Sequence, residues 1–263
     1  MKTRILSALV ALPLLFFVLL SGGVILKLTT LAISIIGLYE FFKAFSVKYK
    51  PIKWVGYLMT VALYFSYLGD VSKDMFTFLV SVLLFLLLGL VVYTKNTIEG
   101  AMITFIGFFY VSFSLSHLIL ISELDHNFFI WFPFIIAFVT DTFAYFTGKL
   151  LGKTKLIPHV SPNKTVEGSL GGIIACLVMS FLYAYFIKPE FQFYAIFMAL
   201  IGSVLSQTGD LIASKIKRIF DIKDFGKIMP GHGGVLDRFD SLIITLPLVY
   251  YFMVLFNYIN DKL

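Results

Sequence analysis

The sequence predicts an all-α, polytopic membrane protein. Of its 263 residues, 59% are hydrophobic and 17% aromatic, whereas only 14% are charged, against roughly 25% in ordinary soluble domains. Apolar segments near 20 residues, the length that crosses a bilayer as a helix, follow one another along nearly the whole chain. This composition excludes a water-soluble globule, and because backbone amides in lipid must be satisfied internally, each segment is expected to be a helix.

Nine apolar segments are long enough to be spanning helices. Their approximate limits are Ile5–Leu20, Val24–Val47, Ile52–Leu68, Met75–Tyr93, Ala101–Ile121, Phe128–Thr147, Leu170–Ile187, Phe191–Ala213 and Phe239–Ile259. The first segment follows the basic residues Lys2 and Arg4, as a secretory signal does. It lacks a cleavage site of small residues, and we expect it to be retained as the first helix.

The basic residues are distributed unevenly between the two sides of such a nine-helix bundle. Seventeen of the 21 Lys and Arg residues would face the side of the N-terminus, and the other four are Lys27, Lys73, Lys188 and Lys262. The positive-inside rule therefore predicts a cytoplasmic N-terminus, two long cytoplasmic loops and an outside C-terminus. Topology and attraction to anionic lipid account for the net charge of +6, so no nucleic-acid partner is expected.

Two predicted helix faces gather oxygen atoms that could bind a cation. They carry Ser206, Asp210 and Ser214 on one helix, and Asp237, Asp240 and Ser241 at the start of the next. Asp141 and Asp210 interrupt apolar runs, where a carboxylate costs about 2.5–3.5 kcal/mol near mid-bilayer. Carboxylates and hydroxyls at helical spacing suit Mg²⁺. The alternative interpretation is that Asp237 or Asp240 caps a helix and that Asp210 pairs with a lysine.

Basic residues and glycines surround these acids. They are Lys164, Lys217, Arg218, Lys223, Lys227 and Arg238, with Gly231, Gly233 and Gly234 beside His232. Lysine and arginine neutralise phosphate, and glycine lets backbone N–H groups approach an anion closely. Together with the acids, they indicate phosphoryl or nucleotidyl transfer. For any single lysine the alternative is a residue that marks the membrane interface, which we prefer for Lys215 and Lys227.

A long motif runs through the second predicted cytoplasmic loop into the last helix. It reads Ser214-x-Ile216-Lys217-Arg218-x4-Lys223-Asp224-x-Gly226-x3-Pro230-x-His232-Gly233-Gly234-Val235-x-Asp237-Arg238-Phe239-Asp240. This motif resembles the signature of phosphatidate cytidylyltransferases, also called CDP-diacylglycerol synthases. The stretch Ser161-Pro162-x-Lys164-Thr165-x-Glu167-Gly168 and the Asp141 segment are also similar to that family. Met229 stands where the family favours Leu, Ile or Phe, a change that conserves volume.

The resemblance implies a bacterial-type enzyme that joins CTP and phosphatidic acid to give CDP-diacylglycerol and pyrophosphate. It implies Mg²⁺, with K⁺ as a candidate second ion, at a site that faces the cytoplasm from the cell inner (plasma) membrane. By position, Asp210 and Asp237 are similar to the family's metal-binding acids, and the predicted metal site also includes Asp240. A homodimer is left open.

The predicted site residues lie mainly in the C-terminal half. The catalytic candidates are Asp210, Asp237, Lys223, Arg238 and His232. The substrate-binding candidates are Lys164, Ser161, Ser214, Lys217, Arg218, Gly233, Gly234 and Asp141. We expect one integral membrane domain, residues 1–263, in which residues 1–127 form helices that are mainly structural or lipid-facing and residues 128–263 form the catalytic half.

Two other functions stay open on the sequence alone. A CTP-dependent kinase of polyprenol or phytol would transfer the γ-phosphate to a lipid hydroxyl, and would need a base for that hydroxyl. A secondary transporter would also explain acids within membrane helices, although the halves of the chain show no internal repeat of the kind common in transporters.

Overall fold

Helices occupy most of the chain, as the hydropathy predicts. A computed structural model describes residues 2–69, 73–95, 97–125, 128–228, 231 and 233–260. The chain divides into two compact units. The first consists of Met1–Ile119 with Ile219–Arg238, and the second of Leu120–Arg218 with Phe239–Leu263.

The first unit begins with a series of apolar helices. They are α1 (Lys2–Ser21), α2 (Gly23–Phe45), α3 (Lys53–Leu68), α4 (Lys73–Tyr93) and α5 (Ile98–Gly107). A π-helical stretch, Phe108–Phe113, joins α5 to α6 (Ser114–Asp125). Gly22 and Gly23 have φ angles of 59° and 49°, a left-handed conformation that glycine adopts without strain and that permits the tight turn between α1 and α2.

The core of the first unit lies where α3 packs against its neighbours. Val55, Met59 and Leu63 recur at every fourth residue of α3 and are almost completely buried, as expected for one face of a helix. The buried Tyr64 hydroxyl lies 2.6 Å from the Ser34 hydroxyl of α2, which satisfies a polar group that burial would otherwise penalise.

The second unit is built on four longer helical segments and one small hairpin. A continuous helical stretch runs through Phe129–Trp131, α7 (Phe132–Phe134), the π-helical Ile135–Val139 and α8 (Thr140–Leu151). The strands β1 (Lys155–Ile157) and β2 (Ser161–Thr165) follow, then α9 (Val166–Ile187), α10 (Gln192–Ile219) and α11 (Leu236–Asn260). The division between the units falls within α11, after Arg238.

Within the described residues, six helical segments are long and apolar enough to cross a membrane. They are Gly23–Phe45, Ile98–Leu124, Phe129–Leu151, Val166–Ile187, Pro189–Ile219 and Leu236–Tyr258. This confirms the prediction of a helical membrane bundle, whereas the count of nine spans and the orientation of the termini stay predictions. The hairpin is an addition to the all-α prediction: β1 and β2 pair antiparallel, with Ser161 opposite Ile157 and Thr165 opposite Lys155.

Helices α8 and α9 approach closely because small residues line their contact. The buried positions of α9 recur every four residues and are Gly168, Gly172, Cys176, Ser180 and Ala184. A Cβ atom at Gly172 would lie 2.6 Å from the backbone oxygen of Thr140, and one at Gly168 would lie 2.6 Å from that of Ala144. Small residues allow such backbone contact between membrane helices, and the buried Cys176 takes the packing role that its apolar surroundings predict.

This contact predicts a large difference between two glycine-to-alanine changes. Gly172→Ala should lower the free energy of unfolding by about 1–3 kcal/mol, because the added methyl overpacks the contact against backbone. Gly89→Ala on α4 is the matched control, since a Cβ there meets nothing within 4 Å. Thermal unfolding of the purified variants in detergent measures the difference. Equal stability of the two variants would contradict the close contact.

Candidate functional site

Three carboxylates from different helices form a cluster in the second unit. Asp141 on α8, Asp210 on α10 and Asp240 on α11 lie close enough for their negative charges to repel one another. The Ser241 hydroxyl donates a hydrogen bond of 3.0 Å to Asp141 Oδ2, and the Lys164 ammonium nitrogen lies 2.5 Å from Asp210 Oδ2. We refer to these three acids as the acid cluster.

Helix α10 presents the polar face that the four-residue spacing predicts. The Ser214 hydroxyl donates to Asp210 Oδ1 at 3.3 Å, and Ser206, one turn before Asp210, is completely buried. Helices α10 and α11 cross closely at Gly209, where a Cβ would lie 2.6 Å from the backbone oxygen of Asp240. The absence of a side chain at Gly209 therefore allows the acids of the two helices to face each other.

The hairpin and the start of α9 bring Lys164 to the acid cluster. Thr165 is the N-cap of α9, and its hydroxyl accepts a 3.1 Å hydrogen bond from the N–H of Gly168, which satisfies one orphan donor of the helix. Glu167 accepts the N–H of Thr154 at 3.1 Å and so holds the chain that leads into β1. Thr165 and Glu167 thus hold the backbone around the hairpin in place, and Lys164 contacts the acid cluster.

A glycine-rich segment surrounds Asp237 in the first unit. We call residues 223–238 the glycine-rich loop, of which the structure describes 223–228, 231 and 233–238, and its last three residues form the first turn of α11. Asp237 is buried, and its Oδ2 accepts the N–H groups of Phe225 at 2.8 Å and Gly234 at 2.9 Å. Gly231 and Gly233 have φ angles of 78° and 87°, which side chains rarely tolerate. The Gly234 amide, predicted to approach a substrate anion, instead donates to the Asp237 carboxylate of the same loop.

A second carboxylate, that of Glu40, contacts this loop and was not among the site residues predicted from the sequence. Glu40 comes from α2, is only 1% exposed, and accepts the N–H groups of Val235 at 3.1 Å and Leu236 at 2.9 Å. A Cβ atom at Gly226 or Gly234 would collide with its carboxylate. The signal was present, because Glu40 is the sole acid in an apolar segment, the property that identified Asp141.

The remaining predicted residues lie on the surface or outside the described part of the chain. Arg218 is exposed, and its Nε donates to the backbone oxygen of Val160 at 3.5 Å. Lys223 and Arg238 are exposed in the glycine-rich loop, and Lys217 interacts electrostatically with Asp240 of the acid cluster. His232 falls outside the residues that the structure describes.

The donor atoms fit a hard divalent cation that keeps part of its shell for other ligands. Among the residues that the structure describes, no three acids, histidines or cysteines lie close enough to enclose a metal ion. Mg²⁺ is usually held by one or two carboxylates with water and substrate phosphate, which the all-oxygen acid cluster can provide. Asp210 and Asp240 lie in the second unit and Asp237 in the first; the sharing of one ion by Asp210 and Asp237 stays a prediction.

An apolar groove of about 480 Å³ runs along α10 and α11 in the second unit. Its seven lining residues are all apolar or aromatic, and they include Leu205, Ile244 and Leu248. Ile244 follows Asp240 by one helical turn, so the groove begins next to the acid cluster. Polar and apolar chemistry thus meet on the same two helices.

Known proteins are similar in sequence to this chain along almost its whole length. Residues 2–256 match the model of the cytidylyltransferase family. A phosphatidate cytidylyltransferase of Bacillus subtilis is 34% identical over 270 residues, which covers 98% of this chain and 99% of the relative. Proteins of the same name from Staphylococcus saprophyticus and Staphylococcus haemolyticus are 36% and 35% identical, each over 95% of this chain and 97% of the relative.

The helix cap before Gly168 leads to a stability prediction. Thr165→Ala should lower the free energy of unfolding by about 1 kcal/mol, because the Gly168 N–H loses its acceptor. Thr165→Ser keeps the hydroxyl and should restore most of that stability. Chemical or thermal unfolding in detergent compares the three proteins. A serine variant as unstable as the alanine variant would assign the loss to the methyl group and not to the cap.

Proposed function

The chain belongs to the cytidylyltransferase family, and on that basis we propose that it joins CTP and phosphatidic acid to give CDP-diacylglycerol and pyrophosphate. The relatives that match over almost their full length carry the name of this activity. The observation that carries the proposal is the acid cluster with Lys164, placed on apolar helices beside an apolar groove. A charged site at the edge of a membrane suits a reaction between a nucleotide and a lipid.

The reaction that we propose is an in-line displacement at the α-phosphorus of CTP. A phosphate oxygen of phosphatidic acid forms the new P–O bond, the bond between the α-phosphorus and its bridging oxygen breaks, and pyrophosphate leaves with that electron pair. The attacking phosphate is already anionic near neutral pH, so a strong general base is unnecessary. Positioning and neutralisation of charge are then the main contributions of the protein.

Basic side chains would hold the two anionic substrates together. Lys164, Lys217 and Arg218 lie in the second unit, the first two with electrostatic partners in the acid cluster. Lys223 and Arg238 are exposed in the glycine-rich loop, where they can reach a soluble nucleotide. We assign these five residues to phosphate binding, because two like-charged reactants must be brought within reacting distance against their repulsion.

Mg²⁺, when bound, would offset negative charge on the triphosphate and on the departing pyrophosphate. We propose Asp210, Asp237 and Asp240 as its protein ligands, with K⁺ as a candidate second ion. Asp141 would hold Ser241 and a substrate group, since its Oδ2 already accepts the Ser241 hydroxyl. The Lys164 ammonium occupies Asp210 Oδ2 at 2.5 Å, so an ion at that oxygen would release Lys164 toward phosphate.

The lipid substrate accounts for the membrane setting of the site. An acyl chain of phosphatidic acid matches the apolar groove of α10 and α11, whose lining residue Ile244 follows Asp240 by one helical turn. We propose a multi-pass protein of the bacterial inner membrane with nine spans, a cytoplasmic N-terminus and a site open to the cytoplasm, where CTP is found. The asymmetry of the basic residues supports this orientation.

The proposed reaction predicts the products and the effect of replacing two acids. The purified chain with Mg²⁺, labelled CTP and phosphatidic acid should form pyrophosphate and a cytidine-containing lipid, and EDTA should abolish the reaction. Asp210→Asn and Asp237→Asn should each lower kcat/KM by at least about 100-fold, as expected when electrostatic stabilisation is removed. Scintillation counting of the separated lipid and aqueous products measures both effects.

A matched control and a contrary outcome complete this experiment. Asp221→Asn changes an exposed acid at a φ angle of 51°, a conformation that asparagine tolerates, and should retain wild-type activity. Release of CDP with a phosphorylated alcohol would contradict the proposal in favour of a kinase. Uptake into proteoliposomes without any lipid product would favour a transporter.

The proposed orientation in the membrane predicts which exposed sites can be labelled from outside the cell. In a Cys176→Ser background, which has no other cysteine, Lys153→Cys should react with a membrane-impermeant maleimide only after the cells are permeabilised. Glu190→Cys, in the loop predicted on the opposite side, should react in intact cells. Both native side chains are exposed, so accessibility itself does not separate the sites. The reverse labelling pattern would overturn the orientation.

A further inference from the structure

We propose that Glu40 is a positioning residue, which seats the glycine-rich loop and thereby fixes the Asp237 carboxylate for the reaction. The inference deepens the proposed function and rests on it for the kinetic effects. Its structural basis is confined to the first unit, which contains α2, the loop and Asp237. The two partners are far apart in the sequence, since Val235 follows Glu40 by 195 positions.

Both oxygens of Glu40 are committed to the loop backbone. Oε1 accepts the N–H of Val235 at 3.1 Å, and Oε2 accepts the N–H of Leu236 at 2.9 Å. These are consecutive amides at the start of α11, where a helix exposes N–H groups without partners inside the helix. A carboxylate that is 1% exposed is tolerated because such charge-assisted hydrogen bonds replace its water.

The loop is shaped to receive this carboxylate. Gly226 and Gly234 flank Glu40 so closely that a Cβ atom at either position would collide with its oxygens. One turn earlier on α2, a Cβ at Gly37 would lie 3.2 Å from a Leu236 methyl group. The helix and the loop therefore meet along a surface whose small residues and single acid fit each other.

Glu40 and Asp237 hold adjacent parts of the same backbone. Asp237 Oδ2 accepts the Gly234 N–H at 2.9 Å, and Glu40 accepts the next two amides. The two carboxylates repel each other electrostatically, so neither would remain in place without its amides. Loss of the Glu40 contacts would release residues 234–236 and with them the anchor of Asp237.

A carboxylate is required at this position, because neither an apolar residue nor glutamine can accept both N–H groups. An apolar residue would pack in the space but leave two buried N–H groups without acceptors. Glutamine keeps the size of the side chain but offers one acceptor and one donor, and the donor would face a second donor. Glu40→Gln thus removes one of the two hydrogen bonds, and the negative charge, with the smallest change in shape.

Two readouts test the proposal in the purified full-length protein. In Glu40→Gln, hydrogen exchange of the amides in residues 225–236 should accelerate at least tenfold. The Mg²⁺ concentration for half-maximal CDP-diacylglycerol formation should rise about 10–100-fold, the usual effect of losing a group that orients a metal ligand. The KM for phosphatidic acid should stay within about twofold, because the acid cluster and the groove are unchanged. A merely structural role would reduce the fraction of active protein and leave the Mg²⁺ requirement unchanged.

Two further variants keep the test decisive. Gly226→Ala presses on the Glu40 carboxylate from the loop side and should reproduce both effects if Glu40→Gln does not fold. Glu99→Gln, an exposed acid on α5, is the matched control and should behave as wild type. Wild-type exchange and Mg²⁺ dependence in folded Glu40→Gln, or in Gly226→Ala if only that variant folds, would overturn the inference. If the wild-type chain forms no CDP-diacylglycerol, the proposed function is wrong. The hydrogen-exchange data would still decide whether Glu40 holds the loop.

Discussion

Compensation of buried carboxylates is the constraint on which the described architecture depends. An anion among apolar helices is costly unless hydrogen bonds or a cation replace its hydration. Glu40 and Asp237 are each compensated by two backbone amides. Asp210 is compensated by Lys164, and Asp141 by a serine hydroxyl. Each of these acids therefore holds another segment of the chain in position. The contacts of the acids fix the loops, and the loops in turn position the acids.

Glycine and other small residues make these arrangements sterically possible. Gly209 lets α10 and α11 approach at the acid cluster, Gly226 and Gly234 leave room for Glu40, and Gly168 and Gly172 let α9 contact α8. Membrane helices gain little from hydrophobic association and depend on close packing and polar contacts. These glycines therefore have two uses here, in helix contact and in making room for carboxylates. The binding of a substrate anion by Gly231, Gly233 and Gly234 stays a prediction.

Sequence reasoning reached the helices and most of the polar site because both leave local signals. Long apolar runs predict helices wherever they occur, and an acid such as Asp210 within such a run marks a site without knowledge of the fold. The hairpin left no such signal, since β2 is polar and lacks the alternation of a half-buried strand. The partners of Glu40 are backbone amides far along the chain. Every residue except proline has such an amide, so a sequence does not show which ones will contact an acid. The helix ends and the pairing of Lys164 with Asp210 were likewise visible only in the folded structure.

The contact between Glu40 and the last helix has a consequence for biosynthesis. Glu40 is made before residues 235 and 236 exist. Val235 follows it by 195 positions, which take roughly 10–40 s to synthesise at the usual 5–20 residues per second. For that period the nascent chain carries an acid near the end of an apolar helix without the two backbone N–H groups that later donate hydrogen bonds to it. Insertion machinery, water at the bilayer surface or a proton must accommodate the charge until translation reaches the final helix. Completion of the first unit must therefore wait until residues 235 and 236 have been made, however early its other helices enter the membrane.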